Sequence, residues 1–136
     1  MGTFLVMVTV ANLHDRSRRR TMEALVDTGA TYTTLPREVA DALGCVPVGR
    51  RRVRLASGRE EEWPVITTLI ELEGQELPTI CLLGPSGGPT LLGAVTLEEF
   101  ALGVDPTARR LVPVSSYLTA TNGQSCLSDR LSASRF

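Results

Sequence analysis

The stretch Ala24-Leu25-Val26-Asp27-Thr28-Gly29-Ala30-Thr31 constrains the fold more than any other part of this 136-residue chain. Ala24 to Val26 reads as an apolar strand. A buried strand that ends on a carboxylate carries a desolvation cost, so Asp27 is either a hydrogen-bonded turn residue or a working acid. Gly29 permits a tight turn immediately afterwards, and Leu35-Pro36 opens a helix. Asp-Thr-Gly alone is ordinary turn chemistry. Its flanks distinguish it here, together with a second ordered motif far downstream: Thr90-Leu91-Leu92-Gly93, set directly before another helical pattern.

In that order and with those flanks, the two motifs resemble the retropepsin-like aspartic proteases. The first resembles their active-site segment, the second the apolar pair and glycine on the strand that packs across the catalytic loop. The resemblance runs from about Thr3 to Val114. It implies an all-β fold, a closed retropepsin-like barrel lobe with one or two short helices, acting as a C2 homodimer.

Composition fits one domain, read as residues 1–114, followed by a polar, flexible tail at 115–136. Hydrophobic residues make up 43 % and aromatics 4 %, so the core has to be built from Val, Leu, Ile and Ala. Fourteen basic against fifteen acidic residues, a net charge of -1, argue against nucleic acid as a partner. Cys45, Cys81 and Cys126 are odd in number and widely spaced, which disfavours a disulfide framework or a metal site. Met1 to Ala11 lacks a basic leader and is rich in β-branched residues, so it reads as a strand and not a signal peptide. No apolar run reaches the ~18 residues of a membrane span. A cytoplasmic protein with no membrane partner is expected.

Along the chain, Thr3 to Ala11 reads as a strand, Asn12 to Ser17 as a turn, and Thr21 to Val26 as the hairpin partner, with Arg16, Arg18, Arg19 and Arg20 at a solvated hairpin end. His14, in the turn, is assigned no role. Pro36 at the first helical position and Gly44 at the stop bound a helix that buries Val39, Ala40 and Leu43. Arg50 to Ala56 and Arg59 onward form a hairpin around Ser57-Gly58, with Arg50, Arg51, Arg52 and Arg54 facing Glu60, Glu61 and Glu62 in cross-strand ion pairs. A further hairpin turns at Glu73-Gly74 and carries Cys81 into the core. Gly84 to Pro89 is a loop without the Lys-Ser/Thr ending of a phosphate loop. Thr96 and Glu99 have the spacing of a capping box, which predicts a helix from Thr96 to about Leu102.

Carboxylate-driven peptide hydrolysis needs two carboxyl groups sharing one proton. This chain has one Asp-Thr-Gly. Asp105 precedes Pro106, Asp129 precedes Arg130, and neither ends an apolar strand. The resemblance therefore implies an aspartic endopeptidase whose dyad is Asp27 of each of two subunits related by a two-fold axis. Thr28 is expected to bond across that axis, Gly29 to offer its N–H to the carboxylate and Ala30 to keep the floor small. Leu91, Leu92 and Gly93 supply the second motif, with Gly93 allowing close approach to the loop. Ala56, Ser57, Gly58 and Arg59 form the candidate flap tip, and Val53, Leu55 and Val95 the candidate pocket walls. Substrate is an extended peptide, with no cofactor and no metal. The alternative is a peptide-binding or assembly module of the same fold without proteolysis.

Viral members of the family commonly carry acidic residues after the catalytic Gly and a basic residue after the second-motif Gly. Here Thr31, Tyr32 and Ala94 stand in those places, so the resemblance does not extend to viral ion pairing. A start at Met1 and a polar end fit a cellular, stand-alone member, and apolar steps at Tyr117-Leu118 and Cys126-Leu127 make the tail a candidate for self-trimming.

Overall fold

The computed structural model describes residues 3–115. Its strands are β1 (Leu5–Asn12), β2 (Asp15–Val26), β3 (Thr33–Pro36), β4 (Gly49–Arg54), β5 (Glu60–Leu72), β6 (Gln75–Gly84), β7 (Leu91–Leu92), β8 (Leu102–Asp105) and β9 (Arg110–Pro113). Two short helices, α1 (Arg37–Leu43) and α2 (Ala94–Glu99), complete it.

Seven strands lie in the order β1-β2-β7-β3-β6-β5-β4, and β1 pairs again with β5. That second pairing, Thr9 to Asn12 against Glu71 to Thr68, closes six strands into a barrel and leaves β4 attached outside it on β5. Closure removes edges from the ring, and alternation sends Val8, Val10, Ala24, Val26, Ile66 and Ile70 into one core. Phe100, fully buried, plugs this core from the end of α2. The all-β barrel lobe expected from the sequence is the fold observed.

Several local readings differ. The first turn is only Leu13-His14, because Asn12 Oδ1 accepts the N–H groups of His14 (2.7 Å) and Asp15 (3.2 Å) and so closes the hairpin early. The four arginines therefore lie within β2, not at its end. Arg19 pairs with Glu71 at 2.7 Å, Arg16 pairs with Glu76, and Arg18 donates to the Ala42 carbonyl (3.1 Å) at the end of α1. Pro36 is the N-cap of α1, one position before the helix, while Gly44 ends it at φ 72° and Val39, Ala40 and Leu43 are buried as expected.

The Thr96 capping box does not form. α2 starts two residues earlier with Gly93 as N-cap, and Thr96 is buried within it because its hydroxyl is held by Thr33 (2.6 Å) and Thr79 (3.2 Å). The helix accordingly stops at Glu99, and β8 begins at Leu102. The hairpin at Glu73-Gly74 is as read, with both residues at positive φ (50° and 79°), the signature of a two-residue primed turn. The tail and its two apolar steps lie outside the described residues.

Candidate active site

β2 leads directly into the Asp27 loop, and the loop's far side is β3. β7 lies between them: Leu25 and Val26 pair in parallel with Leu91 and Leu92, and Thr34 pairs antiparallel with Leu91. A strand of two residues holds both ends of the loop because its backbone bonds reach to either side. The Leu25 N–H donates to the Thr90 carbonyl (2.9 Å) and the Asp27 N–H to the Leu92 carbonyl (3.0 Å). The N–H groups of Ala94 and Val95, in the first turn of α2, donate to the loop carbonyls of Ala30 (2.8 Å) and Thr31 (2.9 Å). Helix-start donors that lack intrahelical partners thereby fix the loop.

Within the loop, the Ala30 N–H donates to the Asp27 carbonyl (3.1 Å), which makes the turn. The Gly29 N–H donates to Asp27 Oδ1 (3.0 Å), orienting the carboxylate back over that turn. Asp27 is half-buried and Thr28 and Gly29 are exposed, so the carboxylate sits at the surface end of a buried strand.

Gly93 is the tightest point. A Cβ there would lie 2.4 Å from the Tyr32 carbonyl carbon and 2.6 Å from its oxygen, so no other residue fits without moving backbone. Below it runs a relay of buried hydroxyls. The Gly93 N–H donates to Thr33 Oγ1 (3.1 Å), and Thr79 donates to the Glu99 carboxylate. With Thr79's proton so committed, Thr96 donates to Thr79 and Thr33 to Thr96, and no buried side-chain polar atom among the described residues is left without a partner.

A cleft of about 330 Å³ opens beside the loop, between its Gly29 to Tyr32 segment and the β4–β5 hairpin. Val53 and Leu55 line it as expected, whereas Asp27, Val95 and the hairpin tip at Ala56 to Arg59 do not. Ala56 to Gly58 make the turn, closed by the Gly58 N–H on the Leu55 carbonyl (2.8 Å). Cross-strand ion pairs brace the hairpin: Arg54 to Glu60 at 2.8 Å, Arg50 to Glu62 at 3.5 Å and Arg52 to Glu60 at 3.9 Å.

Tyr32, Arg51 and Trp63 are among the lining residues that the sequence does not place in the pocket. The Arg51 guanidinium stacks 4.9 Å from the centre of the Tyr32 ring and also donates to its hydroxyl. Trp63, directly opposite Arg51 in the β4–β5 register, donates from Nε1 to Glu61 (2.9 Å), and Glu61 pairs with Arg59 at 2.6 Å. These two donors, Trp63 foremost, hold the Glu61 carboxyl below the usual glutamate range. Period-two alternation from Glu61 through Trp63 was the available signal for the indole facing the cleft.

Two other features bound the chemistry. Burial pushes the Cys81 thiol far above its ordinary value, and Cys45 is raised for the same reason. Among the described residues, no group of three His, Cys, Asp or Glu side chains could hold a metal ion, and no helix is long and apolar enough to cross a membrane.

A closed barrel with a carboxylate loop clasped by a two-residue strand and a helix start is the architecture of a retropepsin-like lobe. Residues 17–99 match the model of the gag-polyprotein putative aspartyl protease family, and the chain belongs to that family. Among solved structures, EIAV protease complexed with the inhibitor HBY-793 is similar in fold, with a TM-score of 0.51 at 20 % sequence identity over 73 % of this chain and 88 % of that one. No curated protein matches the sequence.

Proposed function

We propose that two copies of this chain form an aspartic endopeptidase in which Asp27 of each subunit supplies half of a catalytic dyad. The observation that carries this reading is the Asp27 carboxylate itself, held by the Gly29 N–H at the surface end of β2 in an aspartyl protease family fold. Two such groups placed together across a two-fold axis cannot both ionise, so one proton is shared. The ionised partner takes a proton from water, whose oxygen attacks the peptide carbonyl carbon. The protonated partner gives its proton to the carbonyl oxygen. Collapse of the tetrahedral adduct breaks the C–N bond, and a dyad proton goes to the departing amine.

The surrounding residues support this division of labour. Thr28 lies at the exposed loop apex, where a partner copy can reach it; Gly29 and Ala30 keep the floor low, and Leu91, Leu92 and Gly93 hold the loop from behind. Leu5 and Met7, each 57 % exposed on β1 beside the Asp27 strand, offer apolar surface for a second copy to cover. Substrate is an extended peptide lying between the loop and the β4–β5 hairpin, which acts as the flap with Ala56 to Arg59 at its tip. We assign the protease domain to residues 1–114 and its activity to the cytoplasm, the latter supported by the balanced charge and by Cys45 and Cys81 being free thiols.

Incubation of a diverse peptide library with concentrated wild-type and Asp27→Asn protein, between about pH 4 and 7, tests the proposal. Cleavage by wild type, reduced at least ~100-fold in the variant, is expected. Cleavage that persists in the variant overturns the dyad, and silence from a sedimenting wild-type dimer favours a peptide-binding module.

A further inference from the structure

Five arginines lie on the flap hairpin, and four are matched by its own glutamates. Arg50 faces Glu62, Arg52 and Arg54 face Glu60, and Arg59 faces Glu61. Arg51 is the exception: among the described residues no carboxylate lies within ion-pair distance of it. Its register opposite Trp63 and its contact with Tyr32 hold it at the cleft, which Arg52 and Arg54 also line but with their charges paired to Glu60.

We propose that Arg51 makes this cleft selective for an extended peptide bearing an acidic side chain, Glu or Asp, at one fixed position relative to the scissile bond. The cleft offers a guanidinium held against the Tyr32 ring, with an indole opposite it and Val53, Leu55 and Leu82 as apolar walls. Stacking on an aromatic face restrains a guanidinium without satisfying its charge, so its remaining N–H groups stay available to a carboxylate in a fork geometry. The walls accept the methylene stem, and the bound peptide itself covers the guanidinium, which is exposed in the free protein, and so strengthens the ion pair. A neutral amide of the same shape forms weaker hydrogen bonds and no charge pair. The proposal rests on the peptide-cleaving reading, but charge selectivity in binding is separable from chemistry.

Trp63 is the one tryptophan of the chain and lines the same cleft, so its fluorescence reports occupancy directly. The experiment has two arms. In the first, peptides differing only as Glu against Gln at each position are titrated into full-length Asp27→Asn protein at pH 6.5, following Trp63 emission. In the second, the same pairs are offered to wild type as substrates. At one position, Glu is expected to bind and to be cleaved about 10-fold better than Gln, with the ratio falling towards one in Arg51→Met and surviving in part in Arg51→Lys. The wild-type ratio also falls as pH drops through the peptide glutamate's own pKa, about 4.3. Charge-selective binding without cleavage supports the inference while removing the protease reading. Cleavage or binding with equal Glu and Gln ratios, or a ratio that Arg51→Met leaves intact, overturns it.

Discussion

Gly93 and Tyr32 approach so closely that a single methyl on the first would overlap the backbone of the second, at 2.4 Å from the carbonyl carbon. The contact is between main chains, so no side chain can rotate away to relieve it. Gly93→Ala is expected to cost about 3 kcal/mol or more by overpacking. Thermal unfolding would show this as a fall of roughly 10 °C or more. Peptide cleavage should fall more steeply than stability, because the segment that moves is the one bonded to the Asp27 loop. A variant within a degree or two of wild type would mean that the loop has slack which this contact denies it.

Thr33 accepts the Gly93 N–H and shares a hydroxyl bond with Thr96, all out of reach of water. Thr33→Val keeps the shape and removes both partners. A buried donor left unmade costs about 1–3 kcal/mol, and chemical denaturation should show a loss of that size with an unchanged m-value. Thr9→Val, which breaks an exposed Thr9–Thr21 bond of similar length (2.8 Å), is the comparison and should change stability by less than about 0.5 kcal/mol.

Glu61 links the tip of the β4–β5 hairpin to the cleft through Arg59 and Trp63, and its carboxyl is held below the ordinary glutamate range by those two donors, Trp63 foremost. A depressed folded-state value means that the tie is fully present above the ordinary glutamate pKa and is lost as pH falls through the lower, folded value. Trp63 emission should therefore titrate with a midpoint below that of a free glutamate side chain. The titration should vanish in Glu61→Gln. A midpoint at or above the free value would contradict the tie.

The sequence announces the Asp27 loop and the Gly93 motif because each concentrates an unusual demand, a carboxylate at a strand end or a glycine against backbone, into a few adjacent residues. It misleads at Thr96, whose spacing to Glu99 imitates a capping box. The competing partner, Thr33, is 63 positions away, and a buried hydroxyl takes the bond that excludes water. Arg51 was hidden for a similar reason. Within a run of arginines facing a run of glutamates, pairing looks uniform until the strand register assigns alternate side chains to opposite faces. β2 is longer than its sequence suggests because a single asparagine side chain shortens the turn before it.

The two residues of β7 also set an order of events. Asp27 cannot find the Leu92 carbonyl until 65 further residues have been synthesised, so on the ribosome the carboxylate loop exists throughout that interval as unclasped chain. Closing so long a loop comes late and slowly compared with the local hairpins β1–β2 and β5–β6. A chain halted before Leu92 already holds the whole β4–β5 hairpin, yet it lacks the strand that shapes Asp27. The clasp thus acts as a completion check, withholding the site's geometry until nearly the whole barrel has been made.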